Sequence, residues 1–148
     1  MKNIFIALIL LLSFFMSCKN NNLIKSSDYS HKEKKIQTLK EYFNLKSEIL
    51  DTEYEIYDVN MNNRSIPGPT DRDYKVILKI APDDIMKWHE PGEISSFPLD
   101  YSWATEVLTE TGNQNIKLIG SIFQYKNKYK EMIIFFDAGI ILIRINQQ

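Results

Sequence analysis

The sequence predicts an α+β domain: a largely antiparallel sheet of about five strands, packed with an N-terminal amphipathic helix and two short helices. Three observations carry this. The last third holds three strand segments, at 116–125, 130–136 and 140–146, joined by connections short enough to force antiparallel neighbours into a three-strand meander. The second run is apolar on both parities, Met132, Ile134 and Phe136 against Ile133 and Phe135, and the third is similar, so the sheet must be covered twice. Ahead of the strands, Ile36, Leu39, Phe43 and Leu50 form a helical stripe with lysines and glutamates opposite.

Met1-Lys2-Asn3 is a short basic start, and residues 4–16 are thirteen in a row that are apolar except for Ser13. A membrane-spanning helix needs about 20 such residues and a signal-peptide core about 7–15, so residues 1–17 are predicted to be a removable leader. Its end, Phe15-Met16-Ser17-Cys18, resembles the lipobox of bacterial lipoproteins, with the small Ser17 just before Cys18. Phe15 and Met16 depart from the usual leucine and small residue of that family. The resemblance implies a diacylglycerol on the Cys18 thiol, signal peptidase II cleavage in front of it, and further acylation of the palmitate kind. It implies attachment to a membrane of the cell envelope, on the periplasmic side or the cell surface. It covers only the first 18 residues.

Residues 18–35 are then the lipidated cysteine and a flexible tether, since Asn20-Asn21-Asn22, Ser26-Ser27 and scattered lysines offer little to bury. Its five lysines outnumber Asp28 and Glu33, which suits a solvated spacer or weak attraction to anionic headgroups. The single folded domain is expected over 36–148. Ser30 and Glu33 have capping-box spacing for the first helix, whose stripe runs to Leu50. Residues 54–59 read as a strand. Residues 60–73 form a long loop around Pro67-Gly68-Pro69, and 74–80 form a strand with Tyr74, Val76, Leu78 and Ile80 on one face. Pro82 with Asp83-Asp84 starts a short helix stopped by Pro91-Gly92; Asp100 starts another that Gly112 ends. The first helix can cover one sheet face and the segment 83–110, or a partner, the other.

The chain of 148 residues holds 18 basic and 19 acidic side chains; removing the leader takes away one lysine and leaves a formal charge of −2. That balance argues against nucleic acid as a partner. A single cysteine allows no internal disulfide, and lipid attachment accounts for it. With only His31 and His89 as imidazoles, no metal site and no cofactor is expected. The Gly-x-Ser-x-Gly pattern and the phosphate-binding glycine loops are absent from the sequence.

What remains is a binding surface. Loops as long as 60–73 are often functional, and this one carries Arg64, Asp71, Arg72 and Asp73 beside stiff prolines. Trp88 and His89 follow; Trp88 and Trp103 read either as core or as aromatic anchors of an interface. Residues 64–88 also resemble bacterial lipoproteins, a likeness that brings no function with it. The leading expectation is a membrane-anchored, non-enzymatic module that binds another envelope protein, or an incoming toxin in the manner of an immunity factor. The alternative is a small envelope hydrolase that brings Asp71, Asp73, His89 and Glu90 together.

Overall fold

The computed structural model describes residues 22–58, 72–90, 94–95 and 98–147. The leader, Cys18, Arg64, Asp71 and most of the 60–73 loop lie outside them. Among the described residues six strands form one antiparallel sheet: β1 (Leu23–Lys25), β2 (Asp51–Asp58), β3 (Arg72–Lys79), β4 (Ile122–Lys126), β5 (Lys130–Phe135) and β6 (Ile140–Gln147), in the spatial order β1-β2-β3-β6-β5-β4. The expected C-terminal meander is β4-β5-β6. Its last strand slots against β3, with Val76 opposite Ile143 and Leu78 opposite Ile141.

Two apolar cores follow from the alternation of side chains along the strands. On the first face Tyr54, Ile56, Val76, Leu78, Ile134, Ile141 and Ile143 pack together. Helix α1 (Lys32–Tyr42) lays Leu39 on them, and a 3-10 turn (Pro82–Trp88) adds Ile85 and Trp88. On the second face Ile77, Ile133, Phe135, Ile140 and Leu142 meet Trp103, Ala104 and Val107 of helix α2 (Ser102–Thr111). The fully apolar central strands therefore receive the two covers they require. The segment 83–110 divides between the faces, its 3-10 part joining α1 on the first.

Several boundaries differ from the sequence expectation. The tether was expected to reach residue 35, but residues 22–35 belong to the fold. β1 pairs with Glu55, Ile56 and Tyr57, and Ser26 is fully buried. Where β1 stops, the Ser26 hydroxyl accepts from the Tyr54 amide (3.1 Å) and donates to Glu53 (2.5 Å). Glu53 is 1% exposed, and its carboxylate also accepts from the Lys35 ammonium (2.6 Å) and the Asn113 amide group (2.8 Å). A buried carboxylate needs such partners, and these three bind the N-terminal segment, α1 and the chain after α2 to one strand edge.

Helix α1 is preceded by His31 with no side-chain cap bond, so the Ser30–Glu33 capping box does not form; the helix ends at Tyr42, where Phe43 turns extended. The helix expected at Pro82 is a 3-10 turn. The strand expected from residue 116 starts only at Ile122, because Gly120 adopts a left-handed φ of 107°. Ile116 is still buried in the second core. Gly112, also left-handed, ends α2 as expected.

Candidate functional site

Helix α2 packs on the end of the second face that holds Phe135, Ile140 and Ile77. Toward Asp73 and Asn146 the same face turns polar and half-exposed. The pairing register puts one charged side chain from every strand in a single row across it: Lys25, Glu55, Lys75, Arg144, Glu131 and Lys126. The signs read plus, minus, plus, then again plus, minus, plus.

The first half of the row is tightly paired. Glu55 takes Lys25 at 2.8 Å and Lys75 at 3.1 Å, and Lys25 also reaches Glu110 at the end of α2 (2.9 Å). Burial raises the Glu55 carboxyl, but the hydrogen bonds from Lys25 and Lys75 outweigh it and hold it below the usual range. Hydrogen bonds to Glu55 and then Glu110 hold the Lys25 ammonium above its own. In the second half Lys126 meets Glu131 at 2.5 Å. Arg144 Nε and Asp73 Oδ1 are 3.7 Å apart; both atoms are shielded from water and neither has a hydrogen bond. Lys75 and Arg144, side by side at the centre of the sheet, give the row a net charge of +2.

The expected site residues scatter around this row. Asp73 lies one step beyond it on the same face, within 3.7 Å of Arg144. Arg72 alternates to the first face, where its Nε is 3.4 Å from Asp58 but, like that of Arg144, makes no hydrogen bond; Asp58 accepts from the Tyr74 hydroxyl (2.8 Å). That arrangement braces the core. Trp88 is 2% exposed and donates its indole N–H to Ser47 (2.9 Å), so it is a core residue and not an interface anchor. Trp103, at 6%, is core as well. His89 is exposed, with its ring 5.5 Å from Phe123 on the first-face side. Glu90 accepts from Lys46 (2.8 Å) and Lys130 (2.9 Å), a staple between three segments. Asp73 and His89 thus stand on opposite faces of the sheet, and the described members of the hydrolase alternative share no cleft. Among the described residues no group of three His, Cys, Asp or Glu side chains is placed to hold a metal ion.

Lys25, Glu55, Glu131, Lys126 and Arg144 were not singled out from sequence. The signal was present in Arg144, the one charge in the last strand, and in Lys75, whose parity already set it opposite Tyr74, Val76 and Leu78. Aligning them required the strand order. No protein-family model matches the chain, nor does any characterised protein or solved structure.

Proposed function

We propose that this protein is a non-enzymatic interaction module of the bacterial cell envelope, held on a membrane by a lipid on Cys18, which offers the charged half of its sheet to an acidic surface of another protein. The observation that carries the reading is the row from Lys25 to Lys126: charged side chains from all six described strands, in register, on a half-face that no described apolar segment covers. Two cations brought together at its centre favour a partner that supplies carboxylates, because complementary charge sets specificity and speeds encounter.

The leader and the lipobox-like Phe15-Met16-Ser17-Cys18 support the anchor. Cys18 precedes Asn22 by four residues, a reach of at most about 14 Å. The Asn22 carbonyl accepts from the Asp58 amide (3.1 Å), at the sheet end toward which the charged row lies. An anchor there holds this end of the sheet near the membrane.

The experiment is a pair of variants in the bacterium that makes the protein. Cys18→Ser is expected to lose incorporated fatty acid and leave the membrane fraction. Lys75→Glu with Lys126→Glu is expected to stay in the membrane fraction and lose the partner that co-purifies with the unaltered chain. A double variant that keeps its partner refutes the surface; a Cys18→Ser chain that still incorporates fatty acid refutes the anchor.

A further inference from the structure

The geometry points to a phosphate-binding site in the recess beside the β4–β5 turn. The recess has a volume of about 410 Å³ and is walled by Lys126, Lys128, Lys130, Glu131, Arg144 and Asn146. Small-molecule sites typically enclose about 300–1,000 Å³, so a phosphate with a small substituent fits. Asn127 and Tyr129 complete the lining, so four of its eight residues are cationic and one is a carboxylate.

Their existing partners decide which cations are available. Lys130 is committed outside the recess, to both oxygens of Glu90 at 2.9 Å. Lys126 neutralises Glu131. The Lys128 ammonium lies 4.9 Å from the centre of the Tyr129 ring; among the described residues it meets an aromatic face and not an acid. Arg144 has a carboxylate nearby, but 3.7 Å is beyond hydrogen-bonding distance, and its Nε is left without a bond. Among the described residues no hydrogen bond ties Lys128 or the Arg144 Nε to an acid, although Arg144 stays in ion-pair range of Asp73.

The turn that presents them is held in shape. The Asn127 side-chain oxygen accepts from the amides of Tyr129 (2.9 Å) and Lys130 (2.8 Å), and the Asn127 amide donates back to the Lys130 carbonyl (2.9 Å). Arg144 projects from a strand inside the sheet, so both cations stand on fixed backbone. A ligand there gains little from a single carboxylate, which brings one charge and two oxygens. A phosphate group brings a charge of about −1.5 to −2 and three strong acceptor oxygens, enough to engage Lys128 and Arg144 together.

The group can belong to a soluble phosphate monoester or inorganic phosphate, or to a lipid whose headgroup is a terminal phosphate, as in phosphatidic acid; charge and free oxygens are then the same. The site lies on the half-face proposed for partner binding, but it requires neither the lipid on Cys18 nor a protein partner. Failure of one reading leaves the other standing.

The test uses the full chain in a non-ionic detergent. Equilibrium dialysis measures radiolabelled inorganic phosphate, and a parallel titration uses short-chain phosphatidic acid against short-chain phosphatidylcholine. Saturable phosphate binding that weakens about tenfold in Lys128→Ala and again in Arg144→Gln supports a soluble source; tenfold corresponds to about 1.4 kcal/mol, the scale of one charge-assisted hydrogen bond. Binding of phosphatidic acid alone, weakened by the same variants, supports a headgroup. Lys87→Ala, an exposed lysine outside the recess, is expected to bind as the unaltered chain does. Lys128 is exposed on a turn, so its variant reports binding even if Arg144→Gln fails to fold. Absence of binding to either probe, or binding unchanged by Lys128→Ala, overturns the proposal.

Discussion

Lys75 and Arg144 stand directly opposite one another on β3 and β6, two cations in register at the middle of an antiparallel sheet. Like charges in that position repel, by an amount comparable to the roughly 0.2–1 kcal/mol that a good cross-strand pair contributes. Glu55 offsets part of this through Lys75, while the Asp73–Arg144 contact is too long for a hydrogen bond. A fold optimised for stability alone has better choices at residue 144.

Arg144→Thr is therefore expected to leave the chain as stable or more stable, by up to about 1 kcal/mol, since threonine suits a strand and the repulsion is removed. Denaturant titration reads this directly. A loss of more than about 1 kcal/mol would show that Arg144 braces the sheet, and its place in a binding surface would lose its main physical argument.

Lys35→Ala should be among the more damaging changes on α1. It leaves the buried Glu53 carboxylate without its cation, and breaking a buried pair in this way costs about 3–5 kcal/mol. Lys35 is itself partly exposed, so the lower end of that range is expected. A change below about 1 kcal/mol would return residues 22–35 to the role of a spacer.

How far the sequence carried these conclusions can be read from the same residues. The apolar runs at 130–136 and 140–146 have one reading, because a strand apolar on both faces must be buried twice, and the two covers are there. β1 was missed because three residues show no alternation, and its place in the sheet depends on pairing with Glu55–Tyr57 rather than on its own composition. Glu53 stands just before the strand expected at 54–59 and drew no reading; only the arrival of Ser26, Lys35 and Asn113 from three distant segments makes it internal. The candidate site was harder still. Its charges come from every strand, and their alignment is a property of register that no local pattern encodes.

Ile134→Ala is expected to cost about 2–5 kcal/mol, the range for emptying a core isoleucine. Ile134 is fully buried in β5, between Phe123 of β4 and Ile141 of β6. Chemical denaturation with a cost under about 1 kcal/mol would contradict the strand order.

Acid should weaken the fold partly through Glu55 and Glu90. Burial raises the Glu90 carboxyl, but hydrogen bonds from Lys46 and Lys130 outweigh it, so both acids ionise more readily in the folded chain than in the unfolded one. Their contribution is complete above the unfolded carboxyl value of about 4.3 and is lost as pH falls through the lower folded value. Glu90→Gln should start less stable near neutrality and decline less steeply in acid than the unaltered chain. Parallel stability curves for the two proteins between about pH 6 and about pH 3 would contradict this.

The central claim, that the open charged half-face is where a partner sits, is tested most directly by photocrosslinking in the cells that make the protein. A photoreactive residue is placed at Lys75, in the middle of the row, and separately at Met86, which is 69% exposed on the 3-10 turn that covers the opposite face. The expected result is a discrete protein adduct from position 75 in the membrane fraction and none from position 86. An adduct from position 86 with none from position 75 would contradict the account and move the interface to the other side of the sheet.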